Sequence, residues 1–582
     1  MLYDLICIFE NAYKNHGDSI ILNVYRFKRG IYIRINQDYS QERLIIDSMA
    51  EPSELLDWFK RADYYSSLIS TQKAVDKNKK IHSNNYFSLF IKKDTVFGTV
   101  KKKALTRLEI KEIVDNYFNI LESNKQGVKG KLVDELLSQI PVDVDTIILN
   151  RFREYLLKNL DNIINDLQSI EKSFEGYIKL FFYVDMEKYK QEYNRYLIPR
   201  VFNTNKYNIK IDGDIYGVSN NNISMNSKKP YLELKTMKCK APYKIRFDDA
   251  IIHKKFFDWL KFQKNRVGYI PMDFDFSMPL LKFADISNGS YYYLNTMVKN
   301  DEVIITDYEY FPNFKQTINL KVKDYLNIIQ DDNQTVTYNL NTLKDLEKEI
   351  DNEYFEGNLR KAYFSDIKTG NINKKVLELL LLSKDAFYSF FRKNNPYLIQ
   401  SIFKFISKEI IKQKILDYDR FAAKQIYNLM ITISQYIGLG DRDSMGDNIE
   451  KLYNSISDKI STKDFAKCSS DEEYFFLCGQ LLYFISSKSK SDKSDYRMLE
   501  QFMNLKNINN LNRELVSILN RYKYAISSKD KRFKQAFSMI MGYSASEELS
   551  HMEDIFLAGF LSKNLIYKDY KMKEAIVYED AE

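Results

Sequence analysis

The feature that most constrains the fold is a succession of helical patterns that fills the last part of the chain. From Lys374 onward, apolar residues recur at the three- and four-residue spacing of amphipathic helices. This spacing predicts helices at about 374–393, 397–415, 418–437, 446–460, 471–487, 497–505, 510–527, 530–541 and 546–564. We therefore expect residues 371–582 to form an all-α helical bundle.

Two of the predicted helices carry one repeated pattern. The sequence E-x-x-F-L-x-G-x-L stands at 473–481 and again at 553–561, 80 residues later. Because a glycine inside a helix costs roughly 1 kcal/mol relative to alanine, two glycines at matching positions predict a close helix–helix approach in a pseudo-symmetric bundle. The alternative is a chance similarity between two amphipathic helices.

The first 370 residues mix strand and helix patterns, which predicts an α+β fold. Two β-prone runs between Ile20 and Ile35, IILNVY and GIYIRI, predict a hairpin. Helical patterns cover about 2–14, 51–69, 104–121, 142–172, 247–265 and 345–362, and strand patterns cover about 86–91, 178–184 and 291–314. We divide this part into an N-terminal domain, 1–122, and a middle domain, 123–370, which carries a basic β-ribbon.

Bulk composition limits the class of protein. The net charge is +8, from 87 Lys and Arg against 79 Asp and Glu, which is compatible with a nucleic-acid partner without being diagnostic. No run of about 18 apolar residues marks a membrane span, and the N-terminus lacks the basic segment of a signal peptide. The four cysteines are scattered and are expected to be reduced, so we expect a cytoplasmic protein without membrane contact.

A basic connector with a hydroxyl and two carboxamides follows the helical pattern that ends near Ile69. It contains Lys77, Lys79 and Lys80, and then His82, Ser83, Asn84 and Asn85. Lysines neutralise phosphate charge, and an asparagine carries a donor and an acceptor that can read a base edge. The sequence thus indicates a loop that contacts DNA; the alternative is a solvated turn between strands.

The same stretch carries a resemblance to a known family. The motifs are W-F-K-R-A-D-Y-Y-S-S at 58–67, K-x-x-D at 73–76 and K-K-I-H-S-N-N-Y at 79–86. In this order they resemble the large subunit of type I-B CRISPR Cascade complexes. The resemblance continues at N-S-K-K-P-Y-L-E, 226–233, and in the helical last third, and it is weak at about 123–207 and 290–369.

A second polar and basic segment lies in the middle domain. Residues 226–246 contain seven Lys and Arg and one Glu, and an asparagine-rich turn precedes them. A DNA-facing β-ribbon and a solvated hairpin are both compatible with this pattern. Together with the connector, it supplies the candidates for recognition of a DNA motif: His82, Ser83, Asn84, Asn85, Asn220, Asn221, Asn226, Lys228 and Lys229.

The predicted bundle carries a further basic cluster at 506–534, with eight Lys and Arg against two acids. Cations spaced by one or two helical turns can follow the backbone of a nucleic-acid strand, although such a face is often only solvated. The candidates for strand binding are Arg513, Arg521, Lys523, Lys531, Arg532 and Lys534.

Motifs of enzyme active sites are missing from the sequence. It has no P-loop, H-E-x-x-H or G-x-S-x-G motif, and we expect neither catalysis nor a cofactor. One alternative is a metal-dependent nuclease built on the D-x-D pairs at 212–214, 273–275 and 441–443. The other is a protein-interaction scaffold that does not contact nucleic acid.

The resemblance implies a non-catalytic subunit of an RNA-guided DNA surveillance complex. Such a subunit recognises the protospacer-adjacent motif in duplex DNA, helps to unwind the target, holds the displaced single strand and recruits the helicase–nuclease. The implied partners are CRISPR RNA, double-stranded target DNA, the displaced strand, and the backbone, guide-end and small Cascade subunits. In this family the helical C-terminal part is also made from an internal start, for which Met445 is the candidate.

Overall fold

The chain is described by a computed structural model. It covers residues 2–47, 52–100, 103–140, 143–219, 244–299, 302–326, 337–365, 367, 372–439, 445–462, 465–488, 497–503, 505, 508–527 and 530–567. It divides into two compact units, one of Met1–Lys282 and Ser290–Tyr310 and the other of Phe283–Gly289 and Phe311–Glu582. Mixed strands and helices followed by a mostly helical C-terminal region confirm the predicted fold class.

The helices and strands up to residue 314 alternate along the chain. The helices are α1 Leu2–His16, α2 Ser19–Val24, α3 Glu54–Ser66, α4 Lys93–Phe97, α5 Arg107–Leu121, α6 Val133–Leu137, α7 Thr146–Ser169, α8 Met186–Leu197 and α9 Phe247–Lys261. The strands are β1 Gly30–Ile35, β2 Gln41–Ile46, β3 Ser88–Lys92, β4 Tyr177–Phe182, β5 Ile209–Ile211, β6 Asp214–Gly217, β7 Ile245–Arg246, β8 Val267–Pro271, β9 Gly289–Lys299 and β10 Glu302–Phe314.

A four-stranded sheet organises the first unit, with the strand order β2-β1-β4-β3. The two central strands are parallel, with Gly30 opposite Tyr177 and Ile35 opposite Phe182. Strand β4 reads YIKLFF and is buried along almost its whole length, as expected for a central strand covered on both faces. The other strands form two three-stranded sheets, β10-β9-β8 and β5-β6-β7.

The predicted hairpin between Ile20 and Ile35 is wrong in its first half. Residues Ser19–Val24 form helix α2, and β1 pairs with β2 and β4 instead. Ile20 and Ile21 are both fully buried. Adjacent residues of a strand point to opposite faces, whereas two neighbours in a helix can share a broad buried face. Tertiary burial therefore overrides the β-propensity of this run.

One hydrophobic core spans most of the first unit. It includes Ile110 and Phe118 of α5, Leu149 and Leu156 of α7, and the four-stranded sheet. Residues from both sides of the predicted domain boundary at 122/123 belong to this core. The predicted boundary at 370/371 lies outside the described residues.

The second unit begins with strands and continues as helices. The strands are β11 Thr317–Val322 and β12 Tyr338–Thr342, and the helices are α10 Leu343–Phe355, α11 Leu359–Ala362, α12 Lys374–Lys393, α13 Tyr397–Leu416, α14 Arg420–Tyr436, α15 Met445–Ser461, α16 Asp471–Ser486, α17 Arg497–Met503, α18 Ile508–Tyr522, α19 Lys531–Met541 and α20 Glu553–Leu561. Most of these bounds lie within two or three residues of the predicted ones.

The last helix starts later than its pattern predicts. Residues 546–552 are not helical, because the backbone N–H groups of Ser546 and Glu547 donate to the carboxylate of Asp471, at 2.9 and 2.7 Å. These bonds fix the turn that leads into α20. A side chain distant in sequence thus decides where the helix begins.

The repeated glycines lie at the crossing of α16 and α20. A Cβ atom at Gly479 would collide with the carbonyl oxygen of Phe556, and a Cβ atom at Gly559 would collide with the carbonyl oxygen of Phe476. The two contacts are reciprocal, since each glycine meets the phenylalanine three positions before its counterpart. The predicted close approach of two pseudo-symmetric helices is confirmed.

Candidate nucleic-acid interface

The basic connector is a loop fixed by one buried carboxylate. Asp76 accepts backbone hydrogen bonds from Asn78, Lys80 and Ile81, at 2.9, 2.6 and 3.1 Å. The turn places Lys77 and Lys79 in solvent, and Lys79 has a positive φ of 54°. Because the backbone is held by Asp76, the lysines are presented from a rigid loop.

The residues after the connector turn inward. Ser83, Asn84 and Asn85 are all 0% exposed. The Nδ2 of Asn84 donates to the carbonyl of Ser67 at 2.8 Å, and the Oγ of Ser83 lies 3.0 Å from the hydroxyl of Tyr117. Side chains in these positions present no edge to DNA, so their predicted contact with a base has no support in this conformation.

Asn85 is the most connected of the three. Its Nδ2 donates to the Oγ of Ser66 at 3.1 Å and to the Oδ1 of Asn84 at 2.9 Å. Its Oδ1 accepts from the backbone N–H of Phe87 at 3.0 Å and from the Oγ of Ser88 at 3.1 Å. Buried polar groups are tolerated when they are hydrogen-bonded in this way, and Asn85 joins the end of α3 to the start of β3.

His82 is half-buried beside β4. Its backbone N–H donates to the carbonyl of Phe90 at 2.8 Å, and its ring meets Tyr177 edge-on at 5.5 Å between centroids. Burial lowers the pKa of His82 to about 4, and the charges of Lys92 and Lys28 act in the same direction. The imidazole is therefore neutral near pH 7 and offers no positive charge to a phosphate.

Other residues of the resemblance motifs also have internal roles. Asp63 is fully buried and accepts from the Nζ of Lys179 at 2.6 Å and from the hydroxyl of Tyr32 at 2.9 Å. Trp58 packs over the guanidinium of Arg34, 5.1 Å from the ring centroid. The contacts of 58–67 and 82–86 thus hold α3 against the four-stranded sheet.

The asparagine-rich turn and the basic ribbon fall largely outside the described residues. This applies to the candidates Asn220, Asn221, Asn226, Lys228 and Lys229. At the end of the ribbon, β7 pairs antiparallel with β6, with Arg246 opposite Tyr216. These five candidates remain predictions.

The basic cluster of the second unit contains five exposed cations, which we together name the cation strip. It consists of Arg513 and Arg521 on α18, Lys523 in the following 3₁₀ turn, and Lys531 and Lys534 on α19. All five side chains are exposed, and in the described part of the chain none of them forms an ion pair. The strip therefore presents positive charge that no carboxylate of the described residues neutralises.

Arg532 differs from the other predicted strand-binding residues. It is half-buried, and its Nη1 donates to the carbonyls of Leu565 and Tyr567 at 3.3 and 3.0 Å. Its guanidinium thus holds residues 565–567 against α19. We exclude it from the cation strip for this reason.

An aromatic residue that sequence reasoning missed lies within the strip. Tyr524 is 60% exposed and directly follows Lys523. Exposed aromatic rings beside cations serve as stacking platforms for the bases of single strands. The chain contains 44 tyrosines, so composition does not single out Tyr524. Its position inside a basic cluster is the sequence signal that could have identified it.

Metal ligands and known relatives provide no further assignment. The described residues contain no group of three or more His, Cys, Asp or Glu that could hold a metal ion. None of the helices in the described ranges combines the length and apolar character that a membrane span requires. Comparison of the chain with protein-family models, curated proteins and solved structures gave no match.

Proposed function

We propose that this chain is a non-catalytic, nucleic-acid-binding large subunit of an RNA-guided DNA surveillance complex of the type I-B CRISPR Cascade kind. The observation that carries the proposal is the cation strip with its exposed Tyr524. The resemblance of residues 58–86 and 226–233 supplies the biological setting. The proposed location is the cytoplasm.

The geometry of the strip suits a single strand. Arg513 and Arg521 are eight residues apart on one helix, which is about 12 Å along its axis. A strand carries one phosphate per about 3.4 Å of stacked length, so the two side chains span three or four nucleotides. Lys523, Lys531 and Lys534 add charge beyond the end of α18. The strip can hold a strand without reading its sequence.

Recognition of sequence is assigned in this proposal to two sources. Base pairing with a guide RNA reads the target, and the protein reads only a short adjacent motif in the duplex. For the motif, the remaining candidates are Asn220, Asn221, Asn226, Lys228 and Lys229, and the connector lysines would neutralise phosphate charge. Unwinding of the target and recruitment of the helicase–nuclease follow from the resemblance.

Two experiments test the proposal. Co-purification of the chain with the products of neighbouring genes should yield a discrete short RNA. In the reconstituted complex, changing the five strip cations to glutamine should reduce retention of the displaced strand while RNA association is unchanged. A matched control is Lys374→Gln, which removes one exposed cation from α12.

The proposal has clear failure outcomes. A complex that forms without RNA would contradict the proposal that a guide RNA reads the target. Equal retention of the displaced strand by the parent and the strip variant would remove the cation strip from the path of the DNA.

A further inference from the structure

A pocket on the first unit lies beside the basic connector. Its volume is about 310 Å³, and its wall is formed by residues 72–75 and 77, Ile120, the loop 126–129, and residues 199–200 and 202–205. The backbone N–H of Lys131 donates to the carbonyl of Asn205 at 3.0 Å, which ties the loop to the opposite wall. The pocket is thus built from segments fixed to one another.

The charged residues that line the pocket are all positive. Lys73, Lys77, Lys129 and Arg200 belong to its wall, and no Asp or Glu does so among the described residues. Lys77 and Lys129 are exposed at the rim, whereas Arg200 is 7% exposed. Buried charges in proteins are normally paired with an opposite charge.

The two inner cations are held by neutral groups alone. The Nζ of Lys73 donates to the carbonyls of Arg200 and Phe202, so that one of its three donors is left. The guanidinium of Arg200 donates to the Oε1 and the carbonyl of Gln126, at 3.0 and 2.8 Å, and lies 4.7 Å from the ring centroid of Tyr196. Their positive charge is not neutralised within the described residues.

An amide donor in the same pocket has no acceptor among the residues that the structure describes. Gln126 is 2% exposed, and its Oε1 accepts from Arg200. Its Nε2 makes no hydrogen bond to any residue that the structure describes. A buried amide N–H without an acceptor costs roughly 1–3 kcal/mol, which a ligand oxygen would offset.

We propose that this pocket binds a phosphate group, carried by a nucleic-acid strand or by a free nucleotide. Gln126, Lys73 and Arg200 would donate to its oxygens, and Lys77 and Lys129 would supply charge at the rim. The volume lies at the low end of ligand pockets, about 300–1,000 Å³. It admits one phosphate with its substituent and excludes a duplex. The inference goes beyond the proposed function, since it requires a phosphate and no guide RNA.

Lys73 makes the binding dependent on pH. Burial, together with the charges of Arg200 and Lys254 and against that of Glu302, lowers the pKa of Lys73 to about 7. A bound anion favours the charged amine, so binding takes up a proton. Sulfate keeps its charge in this range, and we expect its affinity to fall as pH rises from 6.5 to 8.5.

Thermal unfolding of the full chain tests the site with inorganic phosphate as the probe. A ligand that binds the folded state raises the melting temperature by mass action. We expect phosphate to do so at an ionic strength matched with sodium chloride. The double variant Lys77→Gln, Lys129→Gln should weaken phosphate binding about tenfold or more, the size of one charge-assisted hydrogen bond. Both side chains are exposed, and the fold should be unaffected.

Lys125→Gln is the matched control. Lys125 is an exposed lysine in the same loop, but it pairs with Asp134 at 2.8 Å and does not line the pocket. It should bind phosphate like the parent. The proposal would be overturned if phosphate raised the melting temperature of the double variant as much as that of the parent. It would also be overturned if sodium chloride alone raised the melting temperature as much as phosphate does.

Two further ligands distinguish a phosphate carried by a nucleic-acid strand from one carried by a free nucleotide. Adenosine monophosphate and a short 5′-phosphorylated oligothymidylate are compared in the parent and in the double variant. Tighter binding of the oligonucleotide, lost in the variant, assigns the pocket to a strand, and the reverse assigns it to a nucleotide. If neither is weakened, the proposal fails. Variants of the cation strip should leave phosphate binding unchanged, so the two proposals fail independently.

Discussion

Two polar regions of this molecule lie in opposite environments. The segment 82–85 and the cluster 506–534 were both predicted to contact nucleic acid. In the structure, Ser83, Asn84 and Asn85 are fully buried and hydrogen-bonded, whereas Arg513 and Lys531 stand in solvent. Polar character alone therefore does not identify a surface.

The difference comes from the backbone that surrounds each segment. The chain at 83–87, just before β3, is irregular and buried, so its N–H and C=O groups need partners. Short amide and hydroxyl side chains supply them there. Helices α18 and α19 satisfy their own backbone groups, and their long cations are free to project. In this protein, the polar side chains of the irregular buried segment hold the fold together, whereas the cations of the cation strip on the helices are exposed to solvent.

The largest expected effect comes from neutralising the strip. In the variant with Arg521→Gln, Lys523→Gln, Lys531→Gln and Lys534→Gln, the salt dependence of single-strand binding should flatten by about 0.7 per lost contact. Four contacts correspond to about 600-fold weaker binding at 0.1 M salt. Binding titrations at several salt concentrations measure this.

Stability provides the control for that experiment. The four side chains are exposed, so the free energy of unfolding should change by less than about 0.5 kcal/mol per residue. An unchanged salt slope in a stable variant would show that the region is merely solvated.

For Asn85→Ala we expect a loss of stability rather than a loss of nucleic-acid binding. This change leaves the buried N–H of Phe87 and the hydroxyl of Ser88 without their acceptor. We expect the free energy of unfolding to fall by about 3 kcal/mol, measured by urea denaturation. Asn23→Ala removes an exposed amide and should be neutral. A stable Asn85→Ala protein with altered motif preference would reverse our assignment.

Tyr524 sharpens the comparison within the strip. Tyr524→Ala should cost about 1–3 kcal/mol of single-strand binding if one base stacks on the ring. Tyr524→Phe keeps the ring and should bind like the parent. Fluorescence anisotropy of a labelled strand separates the two variants, and equal losses in both would rule out stacking.

The smallest effect concerns His82 and pH. Its pKa is lowered to about 4 by burial, below the usual value of about 6.5 for an unfolded chain. Between these values the unfolded state binds more protons, so the stability associated with neutral His82 is present above about pH 6.5 and declines toward pH 4. The parent should lose more stability than His82→Gln between pH 7 and 5. If the urea midpoints of the parent and of His82→Gln fell by the same amount between pH 7 and 5, this expectation would be contradicted.

Local pattern determined much of this protein. Helices such as Lys374–Lys393 and Asp471–Ser486 follow from apolar spacing and from caps, for example Ser470, which accepts from the backbone N–H of Glu473. The repeated glycines also predicted the crossing of α16 and α20, because a glycine destabilises a helix interior and two at matching positions indicate a close approach. Such features depend on a few neighbouring residues or on one exceptional residue type.

Only the tertiary structure decided where the polar residues lie and which groups meet. Nothing local to Asn85 distinguishes a buried hydrogen-bonding amide from one that reads a base. The pocket brings Lys73, Gln126 and Arg200 together from distant segments, and no spacing in the sequence announces it. The physical reason is that burial and electrostatic environment depend on contacts between residues far apart in the chain, whereas helix formation depends on neighbours within one or two turns.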